Sequence, residues 1–239
     1  MLDEYKIENV LFLDIETVPL YPDLQSMPEK YQYFWDKKSA HFREEDQSAE
    51  DVFQRSGIYA EFGKIICISV GLFYYQNEQR RFRIKSFYGE QEKDFLPDFI
   101  NMLNKMDERK ETYLCAHNGK EFDFPYLARR ILINGFQLPA LLEVAGKKPW
   151  QTSFLDTLQL WKFGDYKHYT SLDLLSYIFN IPTPKDDIDG SMVAEVFYQD
   201  QDLRRIVQYC EKDVLTIAQL FLRYKGEEGI AQDCVDIVT

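Results

Sequence analysis

The sequence predicts an α/β protein, a mixed sheet with helices packed on it. Three observations carry that expectation. Strand-like runs come first, two of them joined by a short polar turn, and helix-period and strand-period segments then alternate along the chain. Hydrophobic residues make up 45% and aromatics 15% of 239 residues, enough to bury a large core within the usual size of one domain. No stretch approaches the roughly 18 consecutive apolar residues of a membrane helix.

Val10-Leu11-Phe12-Leu13 is too short an apolar run for a helix. It leads into alternating Asp14, Ile15 and Glu16, so a buried strand is predicted over about 9–17. Residues 64–75 and 80–88 read as two strands joined at Gln76-Asn77-Glu78-Gln79, a hairpin. Phe95, Phe99, Met102, Leu103 and Met106 recur at helical spacing and predict a helix over about 90–106. A strand at 112–117, a helix near 124–134 ended by Gly135, and a strand near 152–157 follow, and the remainder reads as mostly helical. The expected organisation is one domain over 1–239 with an inserted polar segment at about 20–62 that carries Tyr31, Tyr33, Phe34 and Trp35. Aromatics so spaced usually serve packing, which suggests a flap on the sheet edge. The functional alternative is a cover whose rings stack on bases.

A net charge of −12 argues against coating duplex DNA, which needs a basic face. It leaves room for an enzyme that grips a few terminal nucleotides. Cys67, Cys115, Cys210 and Cys234 form no C-x-x-C pair and read as reduced thiols. The Met1-Leu2-Asp3-Glu4 start lacks the pattern of a signal peptide, so the expectation is a cytoplasmic protein without a membrane partner.

Residues i and i+2 of a strand share a face, so Asp14 and Glu16 project together. Side-by-side carboxylates repel until a proton, a basic partner or a divalent cation relieves them. Alone, a D-x-E pair is weak evidence in an acidic chain. On a helix predicted over about 202–223, Leu203, Ile206, Val207, Cys210, Val214, Ile217 and Phe221 mark the buried stripe, and Asp213 falls inside it. A carboxylate there is costly unless compensated. Tyr209 lies one turn earlier on the same side. In His117-Asn118-Gly119-Lys120-Glu121-Phe122-Asp123-Phe124-Pro125 a strand turns into a helix. Asp123 there also suits a helix N-cap region. Carboxylates from the first strand, this turn and the last helix could converge and hold two divalent ions.

The strings L-D-I-E-T (13–17), N-G-K-E-F-D (118–123) and Y-C-E-K-D (209–213) resemble the three exonuclease motifs D-x-E, N-x-x-x-F-D and Y-x-x-x-D, in that order. Together they resemble the DEDD exonucleases of the tyrosine subclass, and the proofreading exonuclease domain of family B DNA polymerases in particular. The stretch Lys185 to Tyr198 is similar to stand-alone relatives of that domain. The histidine subclass places His five residues before the last aspartate, where this chain has Gln208. The resemblance implies a ribonuclease H-like five-stranded mixed sheet, its first three strands an antiparallel meander, with helices on both faces. It implies a 3′–5′ exonuclease acting on single-stranded DNA with two Mg²⁺ or Mn²⁺ ions. Asp14 would bridge both ions, Glu16 and Asp213 would complete one site, and Asp123 would hold the second ion. Tyr209 would orient the attacking water, and Thr17, Asn118 and Phe122 would contact the terminal nucleotide. The chain ends 26 residues after Asp213 (239 minus 213), so the expectation is a stand-alone enzyme, with any polymerase or repair protein a separate partner.

Alternatives stay open. An exoribonuclease would use the same metal chemistry, and a non-catalytic nucleic-acid-binding module could keep the same fold. Of the histidines His41, His117 and His168, only His117 adjoins a motif, where a hydrogen-bonded structural role is the commoner one. Asp156 resembles an acidic position near the site in relatives that is not a ligand. Lys147-Lys148 and Arg129-Arg130 could reach phosphates, although short basic pairs are usually solvated surface.

Overall fold

The computed structural model describes residues 2–108, 111–165, 167, 169–182 and 188–238. His168 and the Lys185–Asp187 part of the stretch running to Tyr198 lie outside them. Among the described residues, six strands form one sheet: β1 (Val10–Pro19), β2 (Gly63–Gln76), β3 (Gln79–Tyr88), β4 (Tyr113–Ala116), β5 (Phe154–Asp156) and β6 (Val235–Val238). The spatial order is β5-β4-β1-β2-β3-β6. β1, β2 and β3 form the expected antiparallel meander, and β4, β5 and β6 add parallel to their neighbours. This is the ribonuclease H-like sheet with a sixth strand added.

The hairpin turn falls where the polar tetrad predicts it. Asn77 and Glu78 both have positive φ, the left-handed pair whose twist matches flanking antiparallel strands. The sixth strand departs from expectation, since four residues carry too little period-2 signal. Its anchor is a side-chain contact distant in sequence. The Arg81 guanidinium donates from Nε and Nη2 to the two carboxylate oxygens of Asp236, at 2.9 and 2.7 Å.

Helices α1 (Glu29–Ser39), α2 (Glu92–Asp107), α3 (Asp123–Ile133), α4 (Thr157–Lys162), α5 (Leu172–Ile178), α6 (Val193–Glu195) and α7 (Leu203–Lys225) complete the architecture. α6 runs directly into a π-helical turn, Val196–Asp200. The alternation in β1 divides the core. Leu11, Leu13 and Ile15 pack with Phe95, Phe99 and Leu103 of α2 and with Leu127 and Ile131 of α3. Val10 and Phe12 face the other way, into the cluster with Val214, Ile217 and Phe221 of α7. α7 lies close on the sheet because Gly71 has no side chain: a Cβ there would collide with the Phe82 ring and Val214.

Between α2 and α3 a buried ion pair replaces apolar packing. Arg130 donates from Nε to Glu92 Oε1 at 2.8 Å, from Nη2 to Glu92 Oε2, and from Nη1 to the Ala60 carbonyl at 2.8 Å. The Ile65 backbone N–H also donates to Glu92 Oε1, at 3.0 Å. Arg130 is therefore a core fastener and no phosphate contact. Its neighbour Arg129 points to solvent, and Lys147 and Lys148 are exposed.

The segment after β1 is helical in part and has its own small core. Trp35 is fully buried among Met27, Val52, Phe53 and Phe62, and its indole N–H donates to the Ala49 carbonyl at 2.8 Å. Tyr33 and Phe34 face solvent, so the aromatic cluster divides into one packing residue and an exposed remainder. Among the described residues no helix is long and apolar enough to cross a membrane.

Candidate active site

β1 pairs with β4 only from Val10 to Phe12, against Tyr113 to Cys115. β4 ends at Ala116 and its chain turns away, while β1 continues to Pro19 against β2. Asp14 and Glu16 project from this unflanked part of β1, on the same face as Val10 and Phe12. Asp14 lies opposite Ser69, Glu16 lies opposite Cys67, and a register break follows between Glu16 and Thr17.

α7 crosses that face. Asp202 caps its start, accepting from the Arg205 N–H at 3.1 Å, and Gly226 ends it in the left-handed conformation. Tyr209 and Asp213 stand one turn apart, near enough for the carboxylate to disfavour the phenolate. Cys210 is buried between them and Asp14. Its Sγ lies 3.4 Å from both the Asp14 carbonyl oxygen and Asp14 Oδ2, so the thiol donates toward the carboxylate. One ligand atom from each of Asp14, Glu16 and Cys210 can come within 4.8 Å of the others.

Asp123 arrives from the turn into α3. It is the first helical residue, an acidic group in the first turn of α3, and Phe122 before it is an N-cap without a side-chain cap. The backbone N–H groups of Asp123 itself and of Ile15 in β1 lie near enough to favour its charged form against the cost of burial.

The turn itself is built by Asp156. Its buried carboxylate accepts from the N–H groups of Asn118 (3.0 Å), Lys120 (3.1 Å), Leu158 (2.9 Å) and Gln159 (3.2 Å), so it caps α4 and shapes the loop after β4 together. Asn118 closes the turn at φ 61°, a left-handed value that Asn tolerates, and its carbonyl accepts from Glu121 and Phe122 N–H. Gly119 is required by close packing, because a Cβ would collide with the Ala116 methyl and touch the Phe124 ring.

The remaining residues named from sequence are placed as follows. Thr17 lies beside the Tyr126 hydroxyl, which donates to the Gly57 carbonyl at 2.8 Å. Phe122 is half-buried with its ring centroid 5.4 Å from that of Tyr126. His117 Nε2 lies 3.0 Å from the Thr170 carbonyl and Nδ1 2.9 Å from the Thr157 hydroxyl. A carbonyl can only accept, so the proton sits on Nε2 and the ring is a neutral clasp, its pKa lowered by burial. His41 is exposed.

The electrostatics follow from this crowding. Burial, then Glu16, Asp213 and Asp123, hold the Asp14 carboxyl well above the usual carboxylate pKa range, and the Cys210 thiol opposes them. Glu16 is raised well above the usual carboxylate range by burial, then by Asp213, Cys67 and Asp123. Asp123 is pushed to about 7, chiefly by burial. Burial, then Asp213, Glu16 and Asp14, raise the Tyr209 phenol. A cleft of about 620 Å³ opens onto Asp14, Tyr209 and Asp213, with Lys212, His117 and Tyr169 among its other walls.

Fold and cleft together define a ribonuclease H-like protein with an acidic centre at the edge of its sheet. Residues 58–233 match the family described as "Predicted 3'-5' exonuclease related to the exonuclease domain of PolB", and the chain belongs to that family. The matched stretch contains Asp123, Tyr209 and Asp213 and begins beyond Asp14 and Glu16. A family B DNA polymerase from the hyperthermophilic archaeon Pyrobaculum calidifontis is similar over 89% of this chain, at 17% identity and a TM-score of 0.48, and the chain spans 24% of that polymerase. Among curated proteins none matches in sequence.

Two contributors were not legible as such in the sequence. Cys210 stands in the buried stripe of α7 like any apolar residue, yet its three-residue spacing from Asp213 places both on one side of the helix. Asp156 carries the local signature of a strand end entering a helix, but nothing in the sequence joins it to residues 118–120.

Proposed function

We propose that this protein is a metal-dependent 3′–5′ exonuclease that hydrolyses phosphodiester bonds at the 3′ end of single-stranded DNA and releases nucleoside 5′-monophosphates. The observation that carries the reading is the approach of Asp123, from a turn, and Asp213, from a helix, to Asp14 and Glu16 on a strand far away in sequence, near enough that Asp123 and Asp213 raise the pKa of both strand carboxylates. Mutually repelling carboxylate oxygens are the donor set that hard divalent cations favour, so the residues fit two Mg²⁺ or Mn²⁺ ions. Asp14 would be shared between them, Glu16 and Asp213 would complete one ligand set, and Asp123 would hold the second ion. Such ions, when bound, lower the pKa of a water to make the nucleophile and stabilise the departing 3′ oxygen.

The chain's own residues would do the positioning. Tyr209 stays a phenol throughout the working pH range, because its surroundings disfavour the phenolate. It therefore orients the attacking water by a hydrogen bond and does not act as a base. The Cys210 thiol steadies Asp14. Thr17, Asn118 and Phe122 surround the entry to α3 and are assigned to the terminal nucleotide, Phe122 by stacking. The buried, unpaired cysteines suit the reducing cytoplasm.

Digestion of 5′-labelled DNA and RNA oligonucleotides with Mn²⁺, Mg²⁺ or EDTA tests the proposal. It expects stepwise shortening of the DNA from the 3′ end with either ion and none in EDTA. Equal cleavage in EDTA would overturn it.

A further inference from the structure

α5 is an unusual surface helix. It buries Leu175 and Ser176, and Ser171 caps it, accepting from the Leu174 N–H at 3.2 Å. Its outward face nevertheless carries Leu174, Tyr177 and Ile178 at i, i+3 and i+4, which are 48%, 82% and 49% exposed. A solvated helix normally presents polar residues on that face, and clustered exposed apolar groups mark binding surfaces. Two residues before the cap stands Tyr169, 62% exposed, on the wall of the cleft that holds Asp14 and Asp213. Its ring centroid is 6.1 Å from that of His117, edge to face. Asp173 and Ser176 line both this cleft and the neighbouring groove beside Tyr177, so the two concavities share a wall.

We infer that Tyr169 and the outer face of α5 around Tyr177 form a base-stacking track that carries the single strand upstream of the 3′ end into the cleft. The inference rests on the exonuclease reading and extends it to how the strand is gripped. Continuity with the cleft selects a nucleic-acid strand as occupant. Charge selects stacking as the means of holding it. Asp173 and Asp189 lie on the cleft wall beside Lys212, and Lys167 is paired with Asp165 at 3.6 Å, so described cations do not dominate this route. An aromatic face attracts any base regardless of sequence, and each stack is worth about 1–3 kcal/mol, or roughly 5- to 150-fold. Tyr169, beside the carboxylates, would meet a base near the 3′ terminus. α5 is about 10 Å long at 1.5 Å per residue, so Tyr177, near its far end, would meet one further upstream.

The test is the length dependence of kcat/KM on 5′-labelled single-stranded DNA from dinucleotide to dodecanucleotide in saturating Mn²⁺, for wild type, Tyr177→Ala and Tyr177→Phe. Melting temperatures serve as the folding control. Wild type should prefer the dodecamer over the dinucleotide, Tyr177→Ala should lose roughly 5- to 150-fold of that ratio, and Tyr177→Phe should keep it. Raising salt from 50 to 200 mM should weaken dodecamer binding less than about tenfold, where a binder making six to ten phosphate contacts loses about 10³ or more. A length preference that survives intact in Tyr177→Ala overturns the track and leaves the exonuclease reading standing. So does a full wild-type ratio in Tyr177→Ala together with lost self-association in sedimentation, which assigns the face to protein contact. A wild-type protein that cleaves no oligonucleotide at any length overturns the exonuclease reading itself.

Discussion

At the residue scale, Tyr209 and Asp213 stand one turn apart on α7 yet have different tasks in the proposed mechanism. Tyr209→Phe keeps the ring in its packing against Val18 and Ile206 and leaves every carboxylate in place. It removes one transition-state hydrogen bond, so single-turnover cleavage at saturating Mn²⁺ should slow by about 10² to 10⁴ while metal affinity is preserved. Asp213→Asn alters the ligand set and should weaken metal binding and remove nearly all cleavage. A Tyr209→Phe enzyme as fast as wild type would show that the phenol is only packed. Asp14→Ala makes a different point. It deletes a presumed ligand but also a charge that burial and three other carboxylates oppose. Cleavage should vanish while the metal-free melting temperature holds or rises, and a large drop in that temperature would count against the repulsion described here.

At the scale of elements, the site depends on a loop held by one buried side chain. Asp156 satisfies four backbone N–H groups from two segments. Asp156→Ala strands the buried Leu158 donor at about 1–3 kcal/mol and leaves three part-buried donors to water at a smaller cost, so urea unfolding should report a loss of about 2–4 kcal/mol. Cleavage should fall with it, because Asp123 follows that loop. An Asp156→Ala protein within 1 kcal/mol of wild type would mean that the loop is held by its other contacts. This anchor also shows where the sequence stops being legible. Strands β1 to β5 were readable from apolar runs and turn chemistry because their signals are local, and so was the face shared by Asp14 and Glu16, whereas Asp213, expected inside the buried stripe of α7, is half-buried on the cleft wall. β6 was not, because its stability comes from the Arg81 fork on Asp236 across 155 residues of chain. The role of Arg130 was missed for the same reason, since its partner Glu92 lies on another helix. Trp35 and Tyr33 look alike in sequence, and only the fold around Met27, Val52 and Phe62 makes one core and the other surface.

At the scale of the whole molecule, a chain of net charge −12 concentrates part of that charge where water cannot screen it, and its stability should register the cost. Asp123 has its pKa raised from 3.8 to about 7, with burial as the main cause, and Asp14 and Glu16 are also raised. A raised folded pKa means that the native state holds protons the unfolded chain has released, so this contribution is fully present below about pH 4 and is lost as pH rises through the folded value. Each tenfold change in acidity is about 1.4 kcal/mol, so Asp123 alone withdraws on the order of 4 kcal/mol from the metal-free protein between pH 4 and 8. Asp236, lowered to about 2 by Arg81, acts below that window. His117, lowered by burial, works in the opposite sense up to about pH 6.5, so the comparison must isolate the cluster. In EDTA the melting temperature of wild type should fall from pH 5 to pH 8 relative to Asp123→Asn, which carries no titrating carboxyl there. Divalent cations bind the folded state at the same place and should offset the loss, by about 2.7 kcal/mol at a hundredfold excess over Kd. The Mn²⁺-induced rise in melting temperature should therefore be larger at pH 8 than at pH 5, where protons compete for the ligands, and Asp14→Ala and Asp213→Ala should lose most of it. Equal Mn²⁺ shifts in wild type and both variants would place the ions elsewhere, and a parallel pH profile for wild type and Asp123→Asn would remove Asp123 from the coupled cluster.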